Sequence, residues 1–132
     1  MGRRELREQI FKLLFRVEFN PKEDMPEQKE LFFQEKENAV SEKDGQYIAA
    51  KYEEIVSKLE MIDEMINGEA KGWDITRMGK VDLTLIRLAV YEIRYDDEIP
   101  TGVAINEAVE LAKKFGQENS PAFVNGVLAK FA

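Results

Sequence analysis

Apolar residues recur along this 132-residue chain with the period of a helix, and nowhere with the strict alternation of a half-buried strand. Leu6, Ile10, Leu13, Leu14 and Val17 fall on one face of a helix running from Arg3 to about Phe19, which Pro21 closes. Pro26 is placed to open a short helix that buries Leu31 and Phe32. Ser41, three positions before Asp44, offers an N-cap for a long helix. That helix carries the stripe Ile48, Tyr52, Ile55, Val56, Leu59, Ile62 and Ile66, and Asn67-Gly68 is expected to stop it. Asp74 can cap a short turn containing Ile75 and Met78, broken by Gly79. From Val81 to Tyr95 the chain is apolar nearly all round, which predicts a central, buried helix, and Asp96-Asp97-Glu98 with Pro100 ends it.

Two more helices follow. Val103, Ala104, Glu107, Ala108, Leu111 and Ala112 keep helical spacing, and Gly116 stands where a left-handed residue ends a helix. Ser120-Pro121 reads as an N-cap followed by a first helical residue. Phe123, Val124, Val127, Leu128 and Phe131 line the last helix. Asn106 and Asn125 interrupt these apolar helices and are expected to be buried, tying the helices to neighbouring backbone. With no internal repeat or low-complexity tract, the expectation is an all-α chain, a single domain over 1–132 with six or seven helices.

Composition narrows the function classes. There is no cysteine, so no disulfide or thiolate metal site, which fits a reducing cytoplasm. There is no histidine either, and so no side chain that ordinarily titrates near neutral pH, which weakens the case for an enzyme. No apolar run approaches the roughly 20 residues of a membrane helix, and no signal-peptide pattern opens the chain. A cytoplasmic protein without membrane, cofactor, metal or catalytic residues is expected. The net charge of −7 argues against wrapping a duplex, but it is unevenly spread. Residues 1–17 hold five basic and two acidic groups, residues 18–64 six and fourteen, and residues 65–132 eight and ten. A basic end on an acidic body suits local binding of a short anionic strand.

Arg3, Arg4 and Arg7 supply that basic end. Helical spacing puts their guanidiniums on one surface near a helix start, where the backbone adds partial positive charge. Guanidinium forks bind phosphate and stack on bases, as single-stranded RNA requires. The same pattern fits a solvated face paired internally, for example Arg4 with Glu8. An enzymatic alternative would use Asp96, Asp97 and Glu98 with a hard cation. Consecutive carboxylates at a helix end are more simply a solvated loop, and neither a nucleophile–base pair nor a glycine-rich phosphate loop is evident.

The segment Ala104-Ile105-Asn106-Glu107-Ala108-Val109-Glu110-Leu111-Ala112-Lys113, with Phe123-Val124-Asn125-Gly126-Val127-Leu128, resembles the C-terminal signature of the NusB family of bacterial transcription antitermination factors. Arg3-Arg4, Arg7-Glu8 and Leu13-Leu14-Phe15 resemble that family's arginine-rich opening helix. Val81-Asp82 and Ile86-Arg87-Leu88-Ala89-Val90-Tyr91-Glu92-Ile93 extend the likeness to the centre. Between about Asn20 and Asn67 only the helical pattern is shared.

The resemblance implies an all-helical protein that binds boxA, a short single-stranded element of ribosomal RNA leaders. It implies binding as a heterodimer with NusE, a ribosomal small-subunit protein, and joining the elongating RNA polymerase complex without catalysis. Arg3, Arg4, Arg7, Gln117, Asn119, Ser120 and Phe123 would then contact RNA, and Phe15, Thr76 and Asp82 would face NusE. Ser120 is equally placed as a mere cap, and Phe123 as core. Asn119 stands where many relatives carry an acidic residue, which if anything favours phosphate. The resemblance leaves monomer and homodimer both open in the free state. The alternative is a helical protein-interaction module without direct RNA binding. A NusB-like domain also opens certain ribosomal RNA cytosine methyltransferases, but residues 1–132 leave no room for a methyl-donor site.

Overall fold

The computed structural model describes residues 1–132, and every regular element in it is helical. Seven α-helices follow in order: α1 Arg3–Phe15, α2 Met25–Gln34, α3 Glu42–Ser57, α4 Leu59–Glu69, α5 Lys80–Tyr95, α6 Thr101–Phe115 and α7 Ser120–Ala129. Single 3-10 turns occupy Arg16–Glu18, Lys22–Asp24, Lys36–Asn38 and Ile75–Arg77. The all-α class and the count of six or seven helices therefore describe the chain. By backbone proximity it divides into two compact units, Met1–Val56 and Ser57–Ala132, where the sequence predicts a single domain.

In the first unit α1 is shorter than its apolar stripe. After Phe15 the backbone tightens into a 3-10 turn, and Val17 is only half-buried while Leu13 and Leu14 are enclosed. Arg16 sits at that change of geometry and ties it to α2. Its guanidinium meets the Glu35 carboxylate at 2.7 Å, donates to the backbone and side-chain oxygens of Gln28 at 3.3 Å, and lies 5.1 Å over the Phe32 ring. Phe32 is buried as expected, but Leu31 is 41% exposed. Adjacent helical positions point about 100° apart, so a short helix with one covered face cannot bury both. Ser41 caps α3 as its spacing predicts, its hydroxyl accepting from the Asp44 amide at 3.1 Å. Ile48, Tyr52 and Ile55 then line the inward face.

The long helix expected from Ile48 to Ile66 is two helices, because Lys58 leaves helical geometry at φ −111° and ψ 6°. Asn67-Gly68 does not stop the second of them. Both lie inside α4, and the chain turns only beyond Ala70, using Gly72 at φ +83°. The Asn67 side chain instead accepts the Ile75 amide at 2.9 Å, fastening the next loop to the helix.

In the second unit α5 is central: Leu83 to Glu92 are all buried, and α6 and α7 pack on it and on each other. The polar row of α5 is enclosed as well, and Thr84 in it is satisfied internally: its hydroxyl donates to the Lys80 carbonyl at 2.7 Å. Ala104, Ala108 and Ala112 form the inner row of α6, and small side chains there let the helices approach closely. Arg87 of α5 forms a two-pronged ion pair with Asp63 of α4, at 2.8 and 2.9 Å. Asn106 and Asn125 do not anchor the interior. Both are exposed, and the apolar rows of α6 and α7 simply run on either side of them. No helix is long and apolar enough to cross a membrane.

Candidate nucleic-acid interface

The opening turn of α1 begins at Gly2, an extended residue (φ −76°, ψ 167°) without a side-chain cap. Arg3 and Arg4 project from that turn and are exposed, whereas Arg7, one turn further, is only 8% exposed. Arg4 and Arg7 each also have an interaction within the protein. The three guanidiniums predicted for one surface are thus unequally placed, since the helix carries position 7 inward while its first turn stays in solvent. The Met1 ammonium lies 3.5 Å from the Asp44 carboxylate at the start of α3.

The second cluster lies between α6 and α7. Gly116 is not left-handed, having φ −92° and ψ −168°. It is glycine because of what faces it. A Cβ there would stand 2.5 Å from the Ser120 Cβ and 2.8 Å from the Ala112 carbonyl oxygen. Ser120 is correspondingly 2% exposed, and it is the first residue of α7 rather than its N-cap. Its hydroxyl reaches back to accept the Gln117 amide at 2.9 Å, while its own amide donates to the Gln117 carbonyl at 3.0 Å. This reciprocal pair fixes the loop and engages the serine hydroxyl internally. Gln117, Glu118 and Asn119 line the loop: all three are exposed, and Asn119 occupies the N-cap position with no side-chain capping bond.

Phe123, in the first turn of α7, is half-buried and is neither simple core nor a free ring. It meets Trp73 edge-to-face, with centroids 5.4 Å apart and planes at 70°. Trp73 is 47% exposed, and the Arg77 guanidinium lies 5.5 Å over its ring. Helical periodicity singles out neither Trp73 nor Arg77. The available signal is a large aromatic in the polar turn Gly72-Trp73-Asp74, where no helical stripe accounts for it.

Of the residues assigned to a protein partner, Phe15 is half-buried, between Phe11 at 5.9 Å and Phe19 at 5.0 Å. Phe19 itself is 58% exposed, which leaves an aromatic edge beyond the end of α1. Thr76 is exposed, and its amide donates to the Asp74 carboxylate at 2.9 Å, with the Thr76 hydroxyl bonded to the same oxygen. The Thr76 hydroxyl above all, then the neighbouring amides and Arg77, hold the Asp74 carboxyl below the usual range against a smaller opposing effect of desolvation. Asp82 is half-buried in the first turn of α5, where its charge complements the helix dipole, and one of its carboxylate oxygens is enclosed without a hydrogen-bond partner. The acidic run after α5 has a local role too, since Asp96 accepts the Glu98 amide at 3.1 Å and closes the turn.

Arg3, Arg4, Arg7 and Phe15 lie in the first unit, whereas Thr76, Asp82, Gln117, Asn119, Ser120 and Phe123 lie in the second. Within the second unit, the loop at Gln117–Asn119, Phe123 and the Trp73–Arg77 turn form a continuous chain of contacts.

Comparison with known proteins places this architecture. The NusB family model matches residues 4–132. The chain is 54% identical over 132 residues to the transcription antitermination protein NusB of Agathobacter rectalis, covering all of both chains. It is 48% identical over 130 residues to the NusB of Lachnoclostridium phytofermentans, covering 98% of each. Among solved structures, T. maritima NusB superposes with a TM-score of 0.87 at 35% identity, covering 100% of this chain and 91% of that one. A crystal structure of the antitermination factors NusB and NusE in complex with dsRNA matches with a TM-score of 0.78 at 28% identity, over 98% and 94% of the two chains. With sequence, helical architecture and coverage in agreement from end to end, the chain belongs to the NusB family of transcription antitermination proteins.

Proposed function

We propose that this protein is a cytoplasmic, non-catalytic antitermination factor that binds boxA single-stranded RNA jointly with NusE and enters the elongating RNA polymerase complex. The observation that carries the proposal is the pair of exposed guanidiniums, Arg3 and Arg4, on an uncapped helix start of an otherwise acidic family member. Two cations beside free helix amides favour phosphate, and the acidic remainder repels misplaced nucleic acid. A relative's assembly with NusE and RNA supports the same partners here.

The residues divide the work by placement. Arg3 and Arg4 take phosphate, and Arg7 steadies them from its packed position. Gln117 and Asn119 offer amide donors and acceptors to base edges or sugars. Ser120 acts by holding their loop, since its hydroxyl is already engaged. Phe123 contributes through its ring contact. On the first unit Phe15, extended by the exposed Phe19, faces NusE, and on the second Thr76 and the unpartnered oxygen of Asp82 do so. A buried carboxylate oxygen lacking a donor is satisfied by one that a partner brings.

The test is titration of a boxA oligonucleotide against a scrambled one of equal length, with and without NusE. The proposal requires preference for boxA and tighter binding when NusE is present, because coupling between two ligands is reciprocal. Equal affinity for the two oligonucleotides refutes boxA recognition. Equal boxA affinity with and without NusE refutes joint recognition.

A further inference from the structure

We propose that Trp73 is a base-stacking site, taking one unpaired RNA base on its exposed indole. This rests on the RNA-binding function proposed above and adds to it a residue outside the arginine tip and the Gln117–Asn119 loop.

Large aromatic surface left in water forgoes the stabilisation its burial would bring, and at Trp73 a half-exposed indole is held on a braced turn where a ligand can cover it. The turn packs without it: Ala70 and Met78 on either side are buried, and Ile75 is half-buried. Meanwhile the backbone is fixed around the indole. Gly72 provides the left-handed step, the Trp73 amide donates to the Ala70 carbonyl at 2.9 Å, and the Asn67 side chain fastens the Ile75 amide. Asp74 caps the following 3-10 turn, and Arg77 within it reaches the Gly72 carbonyl at 3.5 Å. A ring held this way pays little ordering cost when a ligand arrives.

Its surroundings fit a nucleobase. Arg77 lies over the ring, adding a cation for the adjoining phosphate, and Phe123 braces the indole edge-to-face. Phe123 is one helical step from the exposed Asn119, whose carbonyl accepts the Phe123 amide at 3.1 Å. Trp73 is therefore linked through Phe123 to the start of α7 that carries Asn119, so a strand stacked on the indole is in the same unit as amide side chains able to read a base edge. A cation over one exposed flat ring suits a strand of bases and phosphates better than an apolar protein segment.

Trp73 is the only tryptophan, so its emission reports this site alone. We would titrate the protein with a labelled boxA oligonucleotide, following RNA anisotropy and tryptophan emission in parallel, and repeat with oligonucleotides carrying one abasic position each. Stacking predicts that emission changes with the same saturation as anisotropy. Trp73→Ala should weaken binding about 5- to 150-fold, with Trp73→Phe recovering much of the loss. One abasic position should cost the wild type a similar factor, abolish the emission change, and leave Trp73→Ala unaffected. Thermal melting of each variant identifies any loss due to misfolding, and the abasic series on wild-type protein does not depend on variants. Saturable anisotropy with unchanged emission and no sensitive abasic position overturns the stacking site while RNA binding stands. Loss of NusE affinity in Trp73→Ala with RNA affinity intact makes Trp73 a protein contact and also overturns it. Absence of any RNA binding by the wild type removes the RNA function itself, and the stacking site with it.

Discussion

At Gly116 a side chain has no room. Its Cβ would fall within 3 Å of the Ser120 side chain and of the Ala112 carbonyl oxygen, and the carbonyl belongs to a helix that cannot yield. Gly116→Ala should therefore destabilise the protein by about 1–3 kcal/mol and loosen the loop that presents Gln117 and Asn119. Gly126 is the control. It lies inside α7 with nothing within 4 Å of an added methyl group, so Gly126→Ala should stabilise by about 0.5–1 kcal/mol through helix propensity. Denaturant melts of the two variants check both signs. If Gly116→Ala melts like the wild type, the close approach is not what selects glycine there. The sequence points to Gly116 as a helix terminator for the wrong reason. A glycine's identity does not reveal whether torsion or crowding demands it, and here the crowding comes from Ser120, four residues on.

Among the elements, α5, α6 and α7 are the most legible, because each carries enough apolar positions to define a face without help from its neighbours. The stripe from Ile48 to Ile66 misleads in one respect. An apolar period records which way side chains point, and one non-helical residue at Lys58 interrupts the helix while Ile62 and Ile66 remain buried. Asn67-Gly68 misleads for a related reason: local tendency to break a helix yields when the side chain finds a bond beyond the helix end. Within α3, burial above all and then the neighbouring Glu53 carboxylate push the Tyr52 hydroxyl up to about 12. The folded state therefore prefers the neutral phenol. That preference is fully present below the ordinary tyrosine value near 10 and is lost as pH rises through about 12. Stability of the wild type should fall by roughly 2–3 kcal/mol more than that of Tyr52→Phe across this window, as read from melts at stepped pH. Parallel pH profiles would show that the phenol ionises as freely in the folded chain as in the unfolded one.

For the whole molecule, charge distribution locates the basic tip that the net charge of −7 conceals. The sequence does not grade the three arginines, because helical spacing gives direction around the axis but not depth, and Arg7 proves packed. Nor does it reveal Trp73, which belongs to no stripe and gains meaning only when the fold sets it against Phe123 and Arg77. The proposed function divides these surfaces: cations at the start of α1, and amides and an indole on the second unit, for RNA, with aromatic and carboxylate groups for a protein partner. The central claim is that Arg3 and Arg4 bind RNA phosphate. It is tested most directly by the salt dependence of boxA affinity, compared between wild type and an Arg3→Ala/Arg4→Ala variant that melts normally. Two phosphate contacts to a single strand predict that the log–log slope flattens by about 1.4 in the variant. An unchanged slope would mean that these guanidiniums do not touch the RNA.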